Sequence, residues 1–360
     1  MSATGSAADS PAPAIRVRHL WHRYGARDVL RDVSFDVAPG EIFGFIGPNG
    51  AGKTTTIRIM ATLLAPMAGR VEIEGLDVTM EPEQVRKLIG YMPDHAGVYE
   101  RITVREFLEF FADAYRVPAL GVVDAVVELA DIKPLEDQLV ATLSKGQKQR
   151  LQLARILLHD PRVLILDEPA SDLDPRARIE IRDLLLDLQS LGKTILLSSH
   201  ILSELADVCT SVGILERGRM VVSGPIAEIA ERLAAQQAAA GGAGAAAQAG
   251  GGSGASPVGT VVVPGVDAHF TGAARRGLKL RILGDPRAAA FALQGGPGIV
   301  DVQVVGSAVN VGYVGGDEKV AQIVAHLVHR RFGVVAVEPE RSELERIFLE
   351  ATRQREERAP

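Results

Sequence analysis

The hydrophobic pattern of the first two thirds of the chain alternates short β-rich runs with segments of helical length. Continuous apolar runs indicate strands that are buried on both faces, which is typical of parallel sheets with crossover helices. The clearest runs are Ile42 to Ile46, Val163 to Leu166 and Thr194 to Leu197. We therefore predict an α/β domain over residues 15–233.

An interval from about residue 95 to residue 160 lacks such runs. Its apolar residues instead recur with helical spacing, which predicts helices with one buried face. The repeating positions include Val104, Phe107, Leu108, Phe111 and Tyr115. We expect a helical subdomain inserted in the α/β domain.

The last third of the chain has a different order of elements. Its pattern predicts strand, helix, strand, strand, helix and strand over 278–283, 286–294, 300–305, 308–314, 318–331 and 334–337. That order is the split βαβ, ferredoxin-like plan. An amphipathic segment follows at 342–353, and we expect it to pack on one of the two domains. We predict a C-terminal α+β domain (ferredoxin-like, βαββαβ) over 257–360.

Two stretches have little to bury. Residues 1–14 are rich in Ser, Ala and Pro, and we interpret them as a disordered tail. Residues 234–256 are almost wholly Ala, Gly, Gln and Ser, which is typical of a linker.

Composition narrows the classes of function. The 39 Lys and Arg against 45 Asp and Glu give a net charge of -6, so no global basic field points to a nucleic-acid partner. The single cysteine, Cys209, excludes an intrachain disulfide, and the first residues do not form a secretory signal. No strongly apolar run reaches the ~18 residues of a membrane span. We expect a cytoplasmic protein.

One motif carries specific chemistry. The segment from Gly47 to Thr54 fits G-x-x-x-x-G-K-[ST], directly after a predicted strand and before a predicted helix. Such a loop directs backbone N–H groups at phosphates, its lysine reaches the β- and γ-phosphates, and its Thr hydroxyl can bind Mg²⁺. We expect a nucleoside triphosphate here. The expected contacts are Gly47, Pro48, Asn49, Gly50, Ala51, Gly52, Lys53, Thr54 and Thr55.

Two carboxylates end a buried strand at Asp167 and Glu168. Open α/β sheets hold ligands at the carboxyl ends of their strands. Asp167 suits Mg²⁺, and Glu168 can act as general base for an attacking water. His200 follows another buried strand, where it is either structural or bonded to the γ-phosphate.

Further residues resemble the ATP-binding cassette (ABC) ATPase family. The segment Leu143 to Gln147 is similar to its signature, and the motifs follow the family's order over roughly 15–229. This resemblance implies that the chain is an ATPase subunit of an ABC transporter, with the P-loop ABC ATPase fold and with ATP and Mg²⁺ as ligands. It also implies that Tyr24 stacks on adenine and that His200 contacts the γ-phosphate.

The signature implies a second copy of the chain. Ser144 can cap a helix, while its hydroxyl and the N–H of Gly146 face an anion. In the family, two ATPase domains pair head to tail. Ser144, Gly146 and Gln147 of one chain would then close over ATP bound to Lys53 of the other.

Two positions depart from the family pattern. Lys145 stands where the signature usually has its second glycine, and its side chain either points to solvent or adds charge near the γ-phosphate. Asp94 stands where the family usually has glutamine. A carboxylate can coordinate Mg²⁺ there directly or through water, but it donates no hydrogen bond.

The C-terminal extension and its last apolar segment resemble those of ATPase subunits of type-2 exporters. The resemblance implies export through a separate integral membrane permease, with the chain on the cytoplasmic face of the membrane. His95, Val98 and Tyr99 are candidates for the permease contact. The C-terminal domain would support the dimer or regulate it. The alternatives are a soluble ABC ATPase that acts on a non-transport partner, and a switch whose C-terminal domain senses a small molecule.

Overall fold

The computed structural model describes residues 12–95, 97–232, 275–306, 308–339 and 347–348. The chain separates into two units, of which the first comprises Met1–Gln237 with Glu343–Pro360 and the second Ala238–Ser342. The predicted linker lies outside the described residues, as does the predicted tail up to residue 11. Ala14 was predicted to belong to the tail, but it is 1% exposed and its carbonyl oxygen accepts a hydrogen bond from the Glu74 N–H. The ordered domain therefore includes Ala14.

A six-stranded sheet forms the centre of the first unit. The three runs singled out in the sequence are strands of this sheet, and they pair in parallel as predicted. Only its last strand pairs antiparallel. Across the sheet the strands are β10 (Arg219–Pro225), β9 (Ser211–Glu216), β3 (Ile42–Ile46), β8 (Thr194–Ser199), β7 (Val163–Asp167) and β6 (Ile89–Met92).

A second sheet of the first unit is antiparallel, and the sequence pattern did not reveal it. Its strands, in spatial order, are β2 (Arg27–Val37), β1 (Ile15–Tyr24), β4 (Ala68–Ile73) and β5 (Leu76–Asp77). The pairing of β1 with β2 shifts register after Val17, which breaks the strict alternation of buried and exposed residues. A pattern with such shifts is harder to recognise in sequence than the uniform apolar runs of the parallel sheet.

Helices cover the parallel sheet. Three of them, with two short 3₁₀ turns, lie in the predicted helical interval. The helices are α1 (Lys53–Met60), α2 (Pro82–Leu88), α3 (Val104–Tyr115), α4 (Ala119–Leu129), α5 (Lys145–Leu157), α6 (Pro175–Ser190) and α7 (Leu202–Ala206), and the turns are Lys133–Leu135 and Val140–Thr142. None of the helices that the structure describes is long and apolar enough to span a membrane.

Both faces of the parallel sheet are buried, and alternate residues of one strand enter different cores. Ile42 and Ile46 of β3 pack with the helical interval and α6, whereas Phe43 and Phe45 pack with α1 and the antiparallel sheet. Because both faces of the sheet are buried, packing holds each strand in one position. The loops that follow the carboxyl ends of the strands are therefore held in position as well.

The part of the second unit that the structure describes contains one antiparallel sheet and two helices. Each of the six predicted elements has a counterpart at nearly the same residues. The strands, in spatial order, are β12 (Ile299–Val305), β13 (Ala308–Val314), β11 (Arg275–Leu283) and β14 (Gly333–Pro339), and the helices are α8 (Pro286–Leu293) and α9 (Asp317–His329). Leu280, Val309 and Leu327 are fully buried in the core of this unit.

The chain returns to the first unit after the second. Ile347 is 1% exposed and belongs to the core that contains α3, α5 and α6, and Phe348 packs against that core. The amphipathic segment predicted at 342–353 thus packs on the α/β domain, at least through these two described residues.

Candidate nucleotide-binding site

The loop between β3 and α1 follows a backbone path that two glycines make possible. Gly52 has a φ of 113°, and a Cβ there would lie 2.6 Å from Leu30 Cδ2. A Cβ on Gly47 would lie 2.3 Å from the carbonyl oxygen of Leu215. Both distances are shorter than real Cβ contacts, so the neighbouring strands pack directly against the bare backbone of the loop.

A cavity of about 440 Å³ lies over this loop. It brings together predicted residues that are far apart in sequence, at the carboxyl ends of β3 and β7 and at the end of β8. Its lining comprises Tyr24, Arg27, Val29, Pro48, Asn49, Gly50, Ala51, Gly52, Lys53, Thr54, Thr55, Asp94, Glu168, Ser171 and His200. Among the predicted residues of the phosphate loop, only Gly47 is not part of this lining. Its carbonyl oxygen accepts a hydrogen bond from Lys53 Nζ at 2.6 Å.

The N-terminus of α1 forms the floor of the cavity. Gly52 is the N-cap residue, and no side chain among the described residues caps this end of the helix. The first N–H groups of a helix lack partners within the helix and carry the positive end of its dipole. A phosphate is the kind of ligand that such an end accepts.

Glu168 is held between two basic side chains. Lys53 Nζ lies 3.4 Å from its Oε1, and His200 Nδ1 lies 2.8 Å from its Oε2. Lys53 is only 6% exposed, so its charge is compensated inside the protein by this carboxylate and by the Gly47 carbonyl oxygen.

Asp167 is supported from the neighbouring strand. Its carboxylate is 1% exposed, and its Oδ1 accepts a hydrogen bond from Ser198 Oγ at 2.6 Å. The same Ser198 oxygen accepts from the Glu168 N–H at 3.0 Å, where Glu168 adopts a left-handed φ of 53°. Ser198 thereby fixes both acidic residues at once. Burial raises the pKa of Tyr91 on the adjacent strand β6, and the negative charge of Asp167 acts in the same direction.

Tyr24 and Arg27 face each other across a tight hairpin. Tyr24 ends β1, Arg27 begins β2, and the two are paired in register around Gly25, which has a φ of 56°. Both line the cavity, and Tyr24 is 46% exposed. From the sequence, Tyr24 was identified as a site residue but Arg27 was not. The signal that could have identified Arg27 is its position opposite Tyr24 across the turn at Gly25. Arg27 adds a second positive charge to the cavity beside Lys53.

Asp94 also reaches the cavity, as the prediction for a metal ligand requires. Its Oδ2 lies 3.6 Å from Nε2 of His95, and its side chain is 43% exposed. The carboxylate is therefore accessible to a ligand in the cavity.

The signature residues lie outside this lining. Ser144 is the N-cap of α5, and its hydroxyl accepts a hydrogen bond from the Gln147 N–H, while Gln147 Oε1 accepts from the Ser144 N–H at 2.8 Å. Gly146 is buried against α6, where a Cβ would lie 2.7 Å from the Cβ of Ala177. Ser144, Gly146 and Gln147 are thus held rigidly at one helix end, away from the cavity of their own chain.

Comparison with known proteins decides the family. The ABC transporter family profile matches residues 30–171. The Nod factor export ATP-binding protein I of Paraburkholderia xenovorans (strain LB400) is 39% identical over 227 residues, which are 62% of this chain and 75% of that protein. This chain belongs to the ABC transporter ATP-binding protein family. Members of this family bind and hydrolyse ATP.

Other relatives agree with this assignment. The daunorubicin resistance ATP-binding protein DrrA3 of Streptomyces coeruleorubidus is 37% identical over 219 residues, which are 60% of this chain and 69% of that protein. A solved structure titled as the ATP binding subunit of an ABC transporter is 32% identical with a TM-score of 0.56, and the match covers 61% of this chain and 93% of that one. The first unit therefore has the P-loop ABC ATPase fold.

Two further residues at this cavity were not among the predicted site residues. Ser171, directly before Asp172, lines the cavity. Ser198 was visible only as a polar residue at the end of an apolar strand. Its role depends on the hydrogen bonds to Asp167 and Glu168, which lie 31 and 30 positions earlier in the chain.

Proposed function

We propose that this chain is the ATP-hydrolysing subunit of an ABC exporter, which acts as a head-to-tail dimer on a separate membrane permease. The observation that carries the proposal is the convergence of the phosphate loop, Glu168 and His200 on one cavity. The named functions of the relatives, Nod factor export and daunorubicin resistance, support the direction of transport.

Several residues of the cavity have a role in this proposal. The phosphates lie on the N-terminus of α1, Lys53 moves from Glu168 to the β- and γ-phosphates, and Tyr24 stacks on adenine. A water oxygen attacks the γ-phosphorus, the bond from the γ-phosphorus to the β,γ-bridging oxygen breaks, and Glu168 accepts the proton of the water. His200 bonds Glu168 in the structure, at a distance that allows it to orient this base or to donate to the γ-phosphate.

The residues also fit a magnesium ion. Among the described residues no group of three or more His, Cys, Asp and Glu could hold a metal by itself. Mg²⁺ in nucleotide sites takes one or two carboxylates together with substrate phosphates. Thr54 and Asp94 line the cavity, and Asp167 is buried directly before Glu168, which also lines it. The hydroxyl of Thr54 and the carboxylates of Asp94 and Asp167 would supply the oxygen donors. Bound there, the ion would neutralise charge on the transferred phosphoryl group.

The dimer accounts for the position of the signature. Ser144, Gly146 and Gln147 do not line the cavity of their own chain, so a second copy would have to supply them. Closure of two chains over two ATP molecules would exclude water and complete the stabilisation of charge. Hydrolysis would then open the dimer.

An exposed aromatic surface is the candidate for the permease contact. Tyr99 is 57% exposed, Phe110 is 51% exposed, and their ring centroids lie 5.5 Å apart. Val98 is partly buried next to them, and His95 is exposed. This surface begins directly after Asp94, which connects it to the nucleotide cavity. A helix of the permease that packs here would be coupled to events at Asp94.

The second unit is proposed to be a ferredoxin-like domain that supports or regulates the dimer. Its antiparallel strand order β12-β13-β11-β14 with α8 and α9 is the arrangement that a split βαβ plan produces. Because folds of this kind serve many functions, the role in the dimer rests on resemblance to exporter subunits.

One experiment tests the proposal. Tagged Glu168→Gln chain, expressed in its native host and supplied with ATP, is purified from gently solubilised membranes, with Lys53→Ala as the matched variant that should not hold ATP. We expect a polytopic membrane protein to co-purify with Glu168→Gln and much less with Lys53→Ala. Recovery only from the soluble fraction, with ribosomes, nucleic acid or no partner, would contradict export and favour a soluble ATPase switch.

A further inference from the structure

A buried histidine stands behind the tyrosine of the nucleotide cavity. His22 is 7% exposed, whereas its neighbour Trp21 is 38% exposed, so the imidazole points into the protein. It is paired in register with Leu30 of β2. Leu30 is the residue whose side chain packs against Gly52 of the phosphate loop. His22 is therefore part of the wall between the antiparallel sheet and the nucleotide cavity.

Packing alone does not explain a histidine at this position. Its Nδ1 is buried and makes no hydrogen bond with any of the residues that the structure describes. A buried polar atom without a hydrogen-bond partner destabilises a folded protein. An aliphatic side chain, such as that of Leu20 two positions earlier, would avoid this cost.

The ring of His22 contacts the ring of Tyr24. The two ring centroids are 4.8 Å apart with an interplanar angle of 73°, an edge-to-face arrangement that aromatic pairs prefer. Tyr24 is half-exposed at the end of its strand, beside a turn. A ring in such a place can rotate freely unless a neighbour restricts it. His22 supplies that restriction from the core side.

We propose that His22 is a positioning residue for the nucleotide base. It holds the ring of Tyr24 in the orientation that presents one face to adenine, and it thereby raises the affinity of the site for nucleotides over bare phosphates. This inference rests on the proposed stacking of Tyr24 on adenine. His22 does not line the cavity, so its effect belongs to binding of the base and not to hydrolysis.

The test compares ligands with and without a base. ADP and inorganic pyrophosphate are titrated calorimetrically into the full-length chain and its His22→Leu, His22→Phe, Tyr24→Ala and His22→Leu/Tyr24→Ala variants. We expect His22→Leu to weaken ADP by about 2- to 10-fold, the range of an aromatic pair contact, and to leave pyrophosphate unchanged. His22→Phe should restore the affinity. In steady-state assays His22→Leu should raise KM for ATP with kcat unchanged.

The double variant distinguishes the role of His22 from the stacking of Tyr24 on adenine. If His22 acts through Tyr24, then His22→Leu has no further effect once Tyr24 is alanine. Unchanged ADP affinity in Tyr24→Ala would overturn the stacking itself. A normal loss in Tyr24→Ala with no loss in His22→Leu, or an equal loss of pyrophosphate, would overturn the role of His22 alone. His22→Met provides the same comparison where His22→Leu is too unstable to purify.

Discussion

Two helices of the ATPase unit, α1 and α5, begin with a lysine after a loop. Their N-termini are capped in different ways. At α1 the N-cap is Gly52, no described side chain caps the helix, and Lys53 is buried. At α5 the N-cap is Ser144, which forms a reciprocal capping box with Gln147, and the side chain of Lys145 is 53% exposed. The N–H groups at the start of α1 are therefore open to an anion, whereas the start of α5 is capped by residues of the chain itself.

The difference in capping affects which groups each helix N-terminus can bind. The open end of α1 can offer several N–H groups to phosphates directly. At α5 the Ser144 hydroxyl already accepts from Gln147, but its own proton remains available for donation. The signature therefore presents a preorganised donor on a stable helix, which suits an approach from outside by a second chain. The predictions below test this contrast.

The largest effect is expected at the open end. Lys53→Ala removes the buried charge that we place on the β- and γ-phosphates, and ATP hydrolysis should fall by about 10³-fold. A phosphate-release assay measures it. Because the phosphates lose this positive charge, calorimetric ATP titration should also show weakened binding, while Glu168 keeps its contact with His200. Hydrolysis near the wild-type rate would show that the phosphate-loop assignment is wrong.

The capped end should respond differently. Ser144→Arg places a bulky cation where a second chain would approach, and we expect hydrolysis to fall by about 10²-fold. ATP binding to the single chain should persist, because Ser144 does not line that cavity. Ser190→Arg, at an exposed position of α6, is the matched control for added charge. Undiminished hydrolysis in Ser144→Arg would refute the cross-chain site.

A smaller effect is expected behind the open end. Ser198→Ala removes the hydroxyl that bonds both Asp167 and the Glu168 N–H, and activity should fall by about 10-fold, as for other groups that orient metal ligands. Ser211→Ala is the matched control, because Ser211 is also buried and also donates to a carboxylate, at Glu41 Oε1. An equal loss of activity in both variants would indicate a general loss of stability.

The smallest effect is expected for the second lysine. Lys145 Nζ lies 3.2 Å from Asp172 Oδ2, and both side chains are more than half exposed. Such pairs contribute about 0.2–1 kcal/mol at most, so Lys145→Ala should change hydrolysis by less than about twofold and barely shift the unfolding midpoint. A loss approaching that of Lys53→Ala would place Lys145 near the γ-phosphate after all.

Local motifs allowed much of the site to be predicted. The phosphate loop is specified by glycines and a lysine within one short segment, and Asp167 and Glu168 are marked by the apolar strand before them. These features depend on neighbours in sequence. The three parallel strands at the centre of the six-stranded sheet were predicted for the same reason, since continuous apolar runs indicate burial on both faces.

Features that depend on the pairing of strands were not predicted. Arg27 reaches the cavity because a hairpin pairs it with Tyr24, and Ser198 matters because β8 lies beside β7. The antiparallel sheet was missed because register shifts in β1 disturb its alternation. In each case the pairing of strands, which a single sequence does not display, decides what a residue touches.

The burial of Ile347 has a consequence for any attempt to delete the second unit. A stop codon after residue 237 would remove Ile347 as well, and it would leave a hole in the core of the ATPase unit. Loss of a buried isoleucine side chain alone costs about 2–5 kcal/mol. Excision of residues 238–342 with the ends rejoined would keep that side chain in the sequence. Along the chain, the second unit is thus an insertion between two segments of the ATPase unit.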